Sequence, residues 1–155
     1  MDLFSRLFHR NTKIYRGSVV DLKERYRLSE ALAYDGIPVV YYDILLHGEN
    51  TRVGALDLRL KSDPYQYYYG DIGYHVDPPY RGHHYAFHAC QLAFSIAKGE
   101  FGMKELIITC NPTNTPSYKT LASLGGEYLG IEKVPENHEI YRRGDKEKCI
   151  FKYTL

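Results

Sequence analysis

Hydrophobic positions along the chain change period more than once, and the changes mark out its elements. Residues 39–47 (VVYYDILLH) are a β-branched and aromatic run, and residues 51–60 alternate Leu56, Leu58 and Leu60 against Ala55, Asp57 and Arg59, the period of a half-buried strand. Gly48-Glu49-Asn50 between them predicts a hairpin. A further strand is expected over 67–76, with Tyr68, Ile72, Tyr74 and Val76 on one face and Gly70 and Gly73 marking a bulge or a close backbone approach. After Arg81 the period becomes helical. His84, His88, Gln91, Ser95 and Lys98 recur at intervals of 4, 3, 4 and 3, a narrow polar stripe on a helix that is otherwise rich in Ala, Phe, Leu and Ile and is therefore expected to be largely buried.

Leu106-Ile107-Ile108 shows no polar alternation, which predicts a central strand covered on both sides, and the strand-helix-strand order predicts that it pairs in parallel. Thr115-Pro116 predicts an N-cap and first-turn proline, Tyr118, Leu121 and Ala122 an apolar face, and Gly125 a stop. Residues 127–134 and 146–153 read as antiparallel strands around a polar excursion. In the N-terminal third, Leu22, Tyr26 and Ala33 stand at mixed helical spacing and predict a helix over 18–34, ended by Asp35-Gly36-Ile37-Pro38. The result is β-β-β-α-β-α-β-β after a helical start, a mixed α/β sheet. With no repeat and no Pro/Gly/Ser-rich linker, residues 1–155 are expected to form a single domain.

Charge narrows the classes of partner. Twenty Lys and Arg against 19 Asp and Glu leave a net charge of +1, which gives no global electrostatic case for nucleic acid or a membrane surface. Cys90, Cys110 and Cys149 are odd in number and in no metal-ligand spacing, as expected of buried thiols in a reducing compartment, so a cytoplasmic location is expected. The opening MDLFSRLFHR has no continuous apolar segment, and no run approaches the roughly 18 apolar residues of a membrane span, so the chain is expected to be soluble and unprocessed. Sixteen tyrosines and no tryptophan suit strands and amphipathic pocket walls.

The junction VDPPYRGHHYA, residues 76–86, is where candidate chemistry concentrates. A strand that ends in Pro-Pro and feeds a helix through Arg81-Gly82 exposes the helix's first unpaired N–H groups and its positive dipole end, with Arg81 adding a fixed charge. This is either an anion site suited to a phosphate-bearing ligand or an ordinary strand-to-helix turn that favours Pro and Gly.

The same residues resemble the coenzyme A signature Arg/Gln-x-x-Gly-x-Gly/Ala of the GNAT acetyltransferase superfamily, which follows a strand and opens a helix. Asn114-x-x-Ser117 and Leu124-Gly125-Gly126 resemble that superfamily's Asn-x-x-Ser/Ala helix and its Leu-Gly-Phe ending, and the resemblance runs from about residue 53 to 128. Similar Arg-Gly-His-His-Tyr-Ala forms occur in bacterial acetyltransferases of predicted function. The implied fold is α+β: a GNAT-like mixed, mostly antiparallel sheet with splayed central strands and flanking helices. The implied activity is transfer of an acetyl group from acetyl-CoA, the co-substrate, to an amine-bearing acceptor by direct attack, with no metal, no nucleic acid and no membrane, and with room for a homodimer. The rival is a non-catalytic CoA-binding or sensing module.

Two departures matter. His84 stands where the signature has its middle glycine, and Leu121 stands where many members have a tyrosine acid. By resemblance, the backbone of Tyr74, His75 and Val76 pairs with pantetheine, Arg81, Gly82, His83, His84, Tyr85 and Ala86 hold the pyrophosphate, and Asn114 with Asn111 bonds the pantetheine amides, the plainer reading being a turn and a cap. His75 and Asp71 are base candidates if they face the acceptor, and solvated or structural residues otherwise. Ser117 and Tyr118 are acid candidates near the sulfur, with core packing an equal role for Tyr118. His84 and His88 lack a third metal ligand, Cys110 reads as a small buried hydrophobe, and Tyr65, Tyr67, Tyr68 and Tyr69 either wall an acceptor pocket or belong to a strand.

Overall fold

The computed structural model describes residues 13–33, 35–61 and 63–155. Five strands, β1 (Ile14–Arg16), β2 (Val20–Leu28), β3 (Val39–Leu46), β4 (Arg52–Arg59) and β5 (Ile72–Val76), form one antiparallel sheet in sequential order. A second antiparallel sheet has the order β6 (Glu105–Cys110), β8 (Glu147–Thr154), β7 (Glu127–Lys133). Helix α1 (Tyr85–Gly99) connects the sheets, α2 (Thr115–Ser123) follows β6, and the one-turn α3 (Glu139–Arg142) lies in the excursion before β8. The mixed α+β class and the strand-helix order after residue 39 agree with the pattern of apolar positions. Among the described residues no helix is long and apolar enough to cross a membrane.

Alanines explain how α1 seats. Ala89, Cys90, Ala93 and Ala97 are fully buried and join one core with Leu22, Leu56, Leu58, Ile72, Leu106 and Phe151. Small side chains let the helix axis approach the sheet closely, while the stripe of Gln91, Ser95 and Lys98 stays exposed.

The helix expected over 18–34 is a correction: residues 20–28 are a strand, and Tyr34 lies outside the described residues. The alternation is real but disguised, because Glu24 takes an inward position and Asp21 is buried on the opposite face. Both are fully buried, Glu24 against the Arg27 guanidinium, and a bulge between Glu24 and Tyr26 shifts the register. The segment 1–12, read above as unprocessed, also lies outside the described residues. The strand expected over 67–76 starts only at Ile72. Gln66–Tyr68 is a 3-10 turn whose first amide donates to Asp63 Oδ1 (2.6 Å), and Gly70 at φ +81° turns the chain before β5 begins. The α2 N-cap is Asn114 rather than Thr115, its Oδ1 accepting from Ser117 N–H at 3.2 Å.

The parallel pairing expected between β5 and β6 is also corrected: no ladder joins them, and among the described residues all ladders are antiparallel. They meet at a joint where Asp71 N–H donates to Ile107 O (2.6 Å) and Ile107 N–H to Asp71 Oδ2 (2.7 Å). Beyond that joint the strands diverge and leave a wedge. Asp71→Ala leaves the Ile107 amide without this acceptor, so it is expected to lower stability by about 1–3 kcal/mol in urea unfolding.

Candidate active site

Alternation along β5 decides which groups line the wedge. Asp77 N–H donates to Val53 O and Arg59 N–H to Asp71 O, so odd-numbered residues present their peptide groups to β4. The peptide groups of Tyr74 and Val76 therefore turn to the free edge, toward β6. Tyr74 sends its side chain the other way, into the core beside α2, where its hydroxyl meets Ser117 Oγ at 2.8 Å. Burial pushes the Tyr74 phenol well above its ordinary range, and the bond to Ser117 only partly opposes that.

At the end of β5, Pro78–Tyr80 forms a single 3-10 turn and Arg81 folds back, its Nε donating to Val76 O at 2.9 Å. Gly82 follows at φ +88°, then His84 at φ +61°, the only non-glycine residue of the described chain with positive φ. His84 thus adopts the left-handed conformation natural to the glycine it replaces. Its ring is exposed and makes no side-chain cap. The first amide after Arg81 with a well-formed backbone hydrogen bond is His88 N–H, bonded to His84 O, so the opening amides of the helix are not used within it. Holding a side chain in the left-handed region costs about 1 kcal/mol, partly offset by glycine's greater freedom when unfolded. His84→Gly is accordingly expected to raise the unfolding free energy by roughly 0.5 kcal/mol, read from denaturant midpoints.

The other residues singled out in sequence sort as follows. His83 stacks on Tyr85 with centroids 5.3 Å apart, and Tyr85 packs against the core with Ala86 half-buried beside it. His75 is exposed on the outer face, Nε2 3.4 Å from Asp77 Oδ1. Asp71 is buried in the joint, its carboxylate turned to the Ile107 amide rather than to an acceptor. Asn111 is tied at both ends, donating to Asp145 Oδ1 (3.0 Å) and accepting from Lys148 Nζ (2.6 Å), so its amide braces the excursion instead of facing the wedge. Asn114 caps α2, next to Ser117. The Tyr118 ring wedges edge-on between Tyr128 and Phe151, a packing role, while Ser117 alone of the two acid candidates carries a hydroxyl in a polar pair. The Tyr74 hydroxyl was missed in sequence, because its position on the apolar face of a strand marked it as packing.

Among the thiols, burial pushes Cys90 up to about 12, and burial with Cys149 nearby pushes Cys110 up to about 11, so both are protonated at neutral pH. The described residues contain no cluster of three or more His, Cys, Asp or Glu able to hold a metal. The tyrosine cluster binds the segment 63–70 to the excursion: Tyr65 stacks on buried His138 at 4.0 Å, and Tyr69 O–H donates to Glu139 Oε2 at 2.5 Å. A cavity of about 610 Å³ opens beyond Asn111–Thr113 against Tyr141 and Asp145, and another of about 540 Å³ lies by Tyr67, Asp71 and Ile107.

Comparison with known proteins places this geometry. Residues 9–127 match the family model of the acetyltransferase (GNAT) domain. The uncharacterized N-acetyltransferase YnaD of Bacillus subtilis (strain 168) is 26% identical over 100 residues, covering 63% of this chain and 57% of YnaD, so the chain spans little more than half of that relative's length. A GNAT-family acetyltransferase crystal structure from Bacillus anthracis superposes with a TM-score of 0.58 at 25% identity, over 74% of this chain and 65% of that one. RimL, a ribosomal L7/L12 alpha-N-protein acetyltransferase solved in complex with coenzyme A, gives a TM-score of 0.66 at 14% identity, over 92% of this chain and 98% of RimL, a likeness of fold.

Proposed function

Given that the chain belongs to the GNAT acetyltransferase family, we propose that it transfers an acetyl group from acetyl-CoA to the amine of an acceptor, with both substrates bound at once. The observation that carries this reading is the run of amides over 82–87 at the head of α1 that make no well-formed backbone hydrogen bond, next to a wedge whose β5 edge offers the peptide groups of Tyr74 and Val76. The unpaired N–H groups of a helix start and its dipole suit a diphosphate, and an unpaired strand edge suits the amides of pantetheine. The fit is helped by His84, whose exposed ring leaves the backbone cradle clear.

The thioester supplies the acetyl group in activated form. The chain's part is to hold and orient. Residues 81–86 would hold the diphosphate, and the β5 edge would align the arm that reaches into the wedge. A backbone N–H on that edge stabilises charge developing on the acetyl oxygen. Asn114 and Ser117 would form the opposite wall. The Ser117 hydroxyl, paired with Tyr74 O–H, is the proton donor at hand for the departing sulfur, in place of the tyrosine that Leu121 displaces; Leu121 itself is fully buried. A thiol ionises near pH 8.5, so the departing sulfur needs little help, and positioning is expected to supply most of the rate.

The deciding assay is thiol release from acetyl-CoA in the presence of a panel of amines. Amine-dependent release supports the transferase. Cofactor-induced thermal stabilisation without release across the panel would instead favour the non-catalytic CoA-binding module.

A further inference from the structure

The outer face of the five-stranded sheet carries an arrangement that the scheme above does not use. Helix α1 packs on the opposite face, with the buried leucines of β2 and β4. On the outer face the strand register sets Tyr26 beside Tyr41, Tyr41 beside Asp57, and Asp57 beside Gly73, one row across β2, β3, β4 and β5. The Tyr26 and Tyr41 rings are stacked, centroids 4.5 Å apart. The Asp57 side chain is 22% exposed, with Oδ2 3.2 Å from Arg59 Nη2. Its Oδ1 leans across Gly73, where an added Cβ would lie 2.6 Å away. Any other residue at 73 would push the carboxylate aside. The carboxylate therefore overhangs β5, the last strand of its sheet, two residues along from Asp71 of the joint.

We propose that Asp57 is the anchor and proton acceptor for the acceptor's amino group, and that Tyr41 and Tyr26 form the flat wall against which the body of that amine lies. The proposal rests on the acetyl-transfer reading above and adds the residues that receive the acceptor, whose amine arrives as an ammonium ion. The chemistry is complementary. A carboxylate with one oxygen paired to Arg59 and the other over Gly73, whose amide it accepts, keeps lone pairs for one further N–H, and phenol rings attract a cation by their faces. Arg59 is itself fixed, donating to Gly70 O at 2.8 Å, so it orients Asp57 rather than competing for the amine. Burial raises the Asp57 carboxyl above its ordinary range, opposed by Arg59, the Gly73 amide and His75, and this makes it a better base than a solvated aspartate. His75, two residues along the same face, is more exposed and leans toward Asp77.

The step balances. One ammonium proton passes to Asp57, and the freed lone pair forms the N–C bond to the acetyl carbon as the C–S bond breaks. The sulfur leaves with that electron pair and takes the Ser117 hydroxyl proton, which the second proton lost by the nitrogen restores. Asp57 then returns its proton to solvent. In sum, R–NH3+ and acetyl-CoA give the acetamide, CoA thiol and H+.

The test uses the full chain with three probes: phenethylammonium, spermidine and a tripeptide with a free α-amino group, titrated by NMR in the presence of CoA. At least one probe should saturate the wild-type complex. Asp57→Asn should raise that probe's Kd by about tenfold or more and lower turnover with acetyl-CoA by about 100-fold, while the Kd for CoA stays within about twofold. Gly73→Ala, which displaces the carboxylate without removing it, should weaken the same probe, and it decides the matter if Asp57→Asn does not fold. Failure of all three probes to saturate the wild type, or unchanged probe affinity in the folded variant, overturns the proposal. Loss of CoA binding by the wild type would strike the acetyl-transfer reading instead, and the same probe comparison on the free protein would then decide for or against Asp57.

Discussion

Arg81→Glu combined with Gly82→Pro is expected to weaken acetyl-CoA binding by about 100-fold or more while leaving the thermal unfolding transition cooperative. Arg81 supplies the charge nearest the row of amides, and its Nε bond to Val76 O holds the turn against the end of β5. Reversal of that charge places a carboxylate beside the diphosphate. Proline cannot adopt the +88° φ of Gly82, so the amides on either side are re-aimed. Both residues are exposed, and nothing lies within 4 Å of a Cβ at Gly82, so the core has no stake in either. Isothermal titration with acetyl-CoA reads the loss; unchanged affinity would remove the head of α1 from the site.

The largest effect on stability is expected from Asp21→Ala, about 3 kcal/mol in urea unfolding at neutral pH. Asp21 is fully buried and gathers four donors: Arg16 Nη1 (2.6 Å), Gly17 N–H (3.1 Å), His47 Nδ1 (2.9 Å) and Gly48 N–H (2.9 Å). It ties the β1–β2 turn to the β3–β4 hairpin with one carboxylate. Burial alone would raise its pKa, but the bonds from the Gly48 amide, His47, Arg16 and the Gly17 amide override that and hold it at about 2. A carboxyl depressed on folding stabilises the native state above its unfolded pKa of about 4, and that contribution, on the order of 2 kcal/mol, is lost as pH falls from about 4 to about 2. The wild type should therefore lose stability over that window more steeply than Asp21→Ala, whose stability should be flatter there.

The same residue shows why part of the fold was hard to read. A strand is recognised by apolar alternation, and β3 and β4 were legible because Val40, Tyr42 and Ile44, then Leu56 and Leu58, fill the inward positions with apolar groups. In β2 the inward side takes Glu24, made tolerable by Arg27, and the opposite face buries Asp21, made tolerable by four donors, so the period is hidden until the partners are known. Sequence near 21 and 24 names neither. The α1 head was legible for the opposite reason: Pro, Gly and the onset of helical period are local signals, and the left-handed His84 occupies the glycine-like position that the signature spacing marks.

Side-chain roles that depend on a distant partner were less legible. Asp71 and Asn111 are the residue types of base and amide ligand, yet each is engaged by atoms more than 30 positions away, the Ile107 amide for one and Asp145 and Lys148 for the other. Asp57 is the converse case. Placed in a plain Leu-Asp-Leu alternation it reads as a solvated outward residue, and only the register against Gly73 shows where its oxygen leads.

The claim on which the account depends is that the peptide N–H groups at the start of α1 grip the diphosphate of CoA. Amide-resolved NMR of the labelled chain on addition of CoA tests it most directly. The account predicts saturable shifts concentrated in residues 82–87 and continuing along the β5 edge at Tyr74 and Val76. Binding that leaves those amides unmoved, or shifts only at another surface, would contradict it.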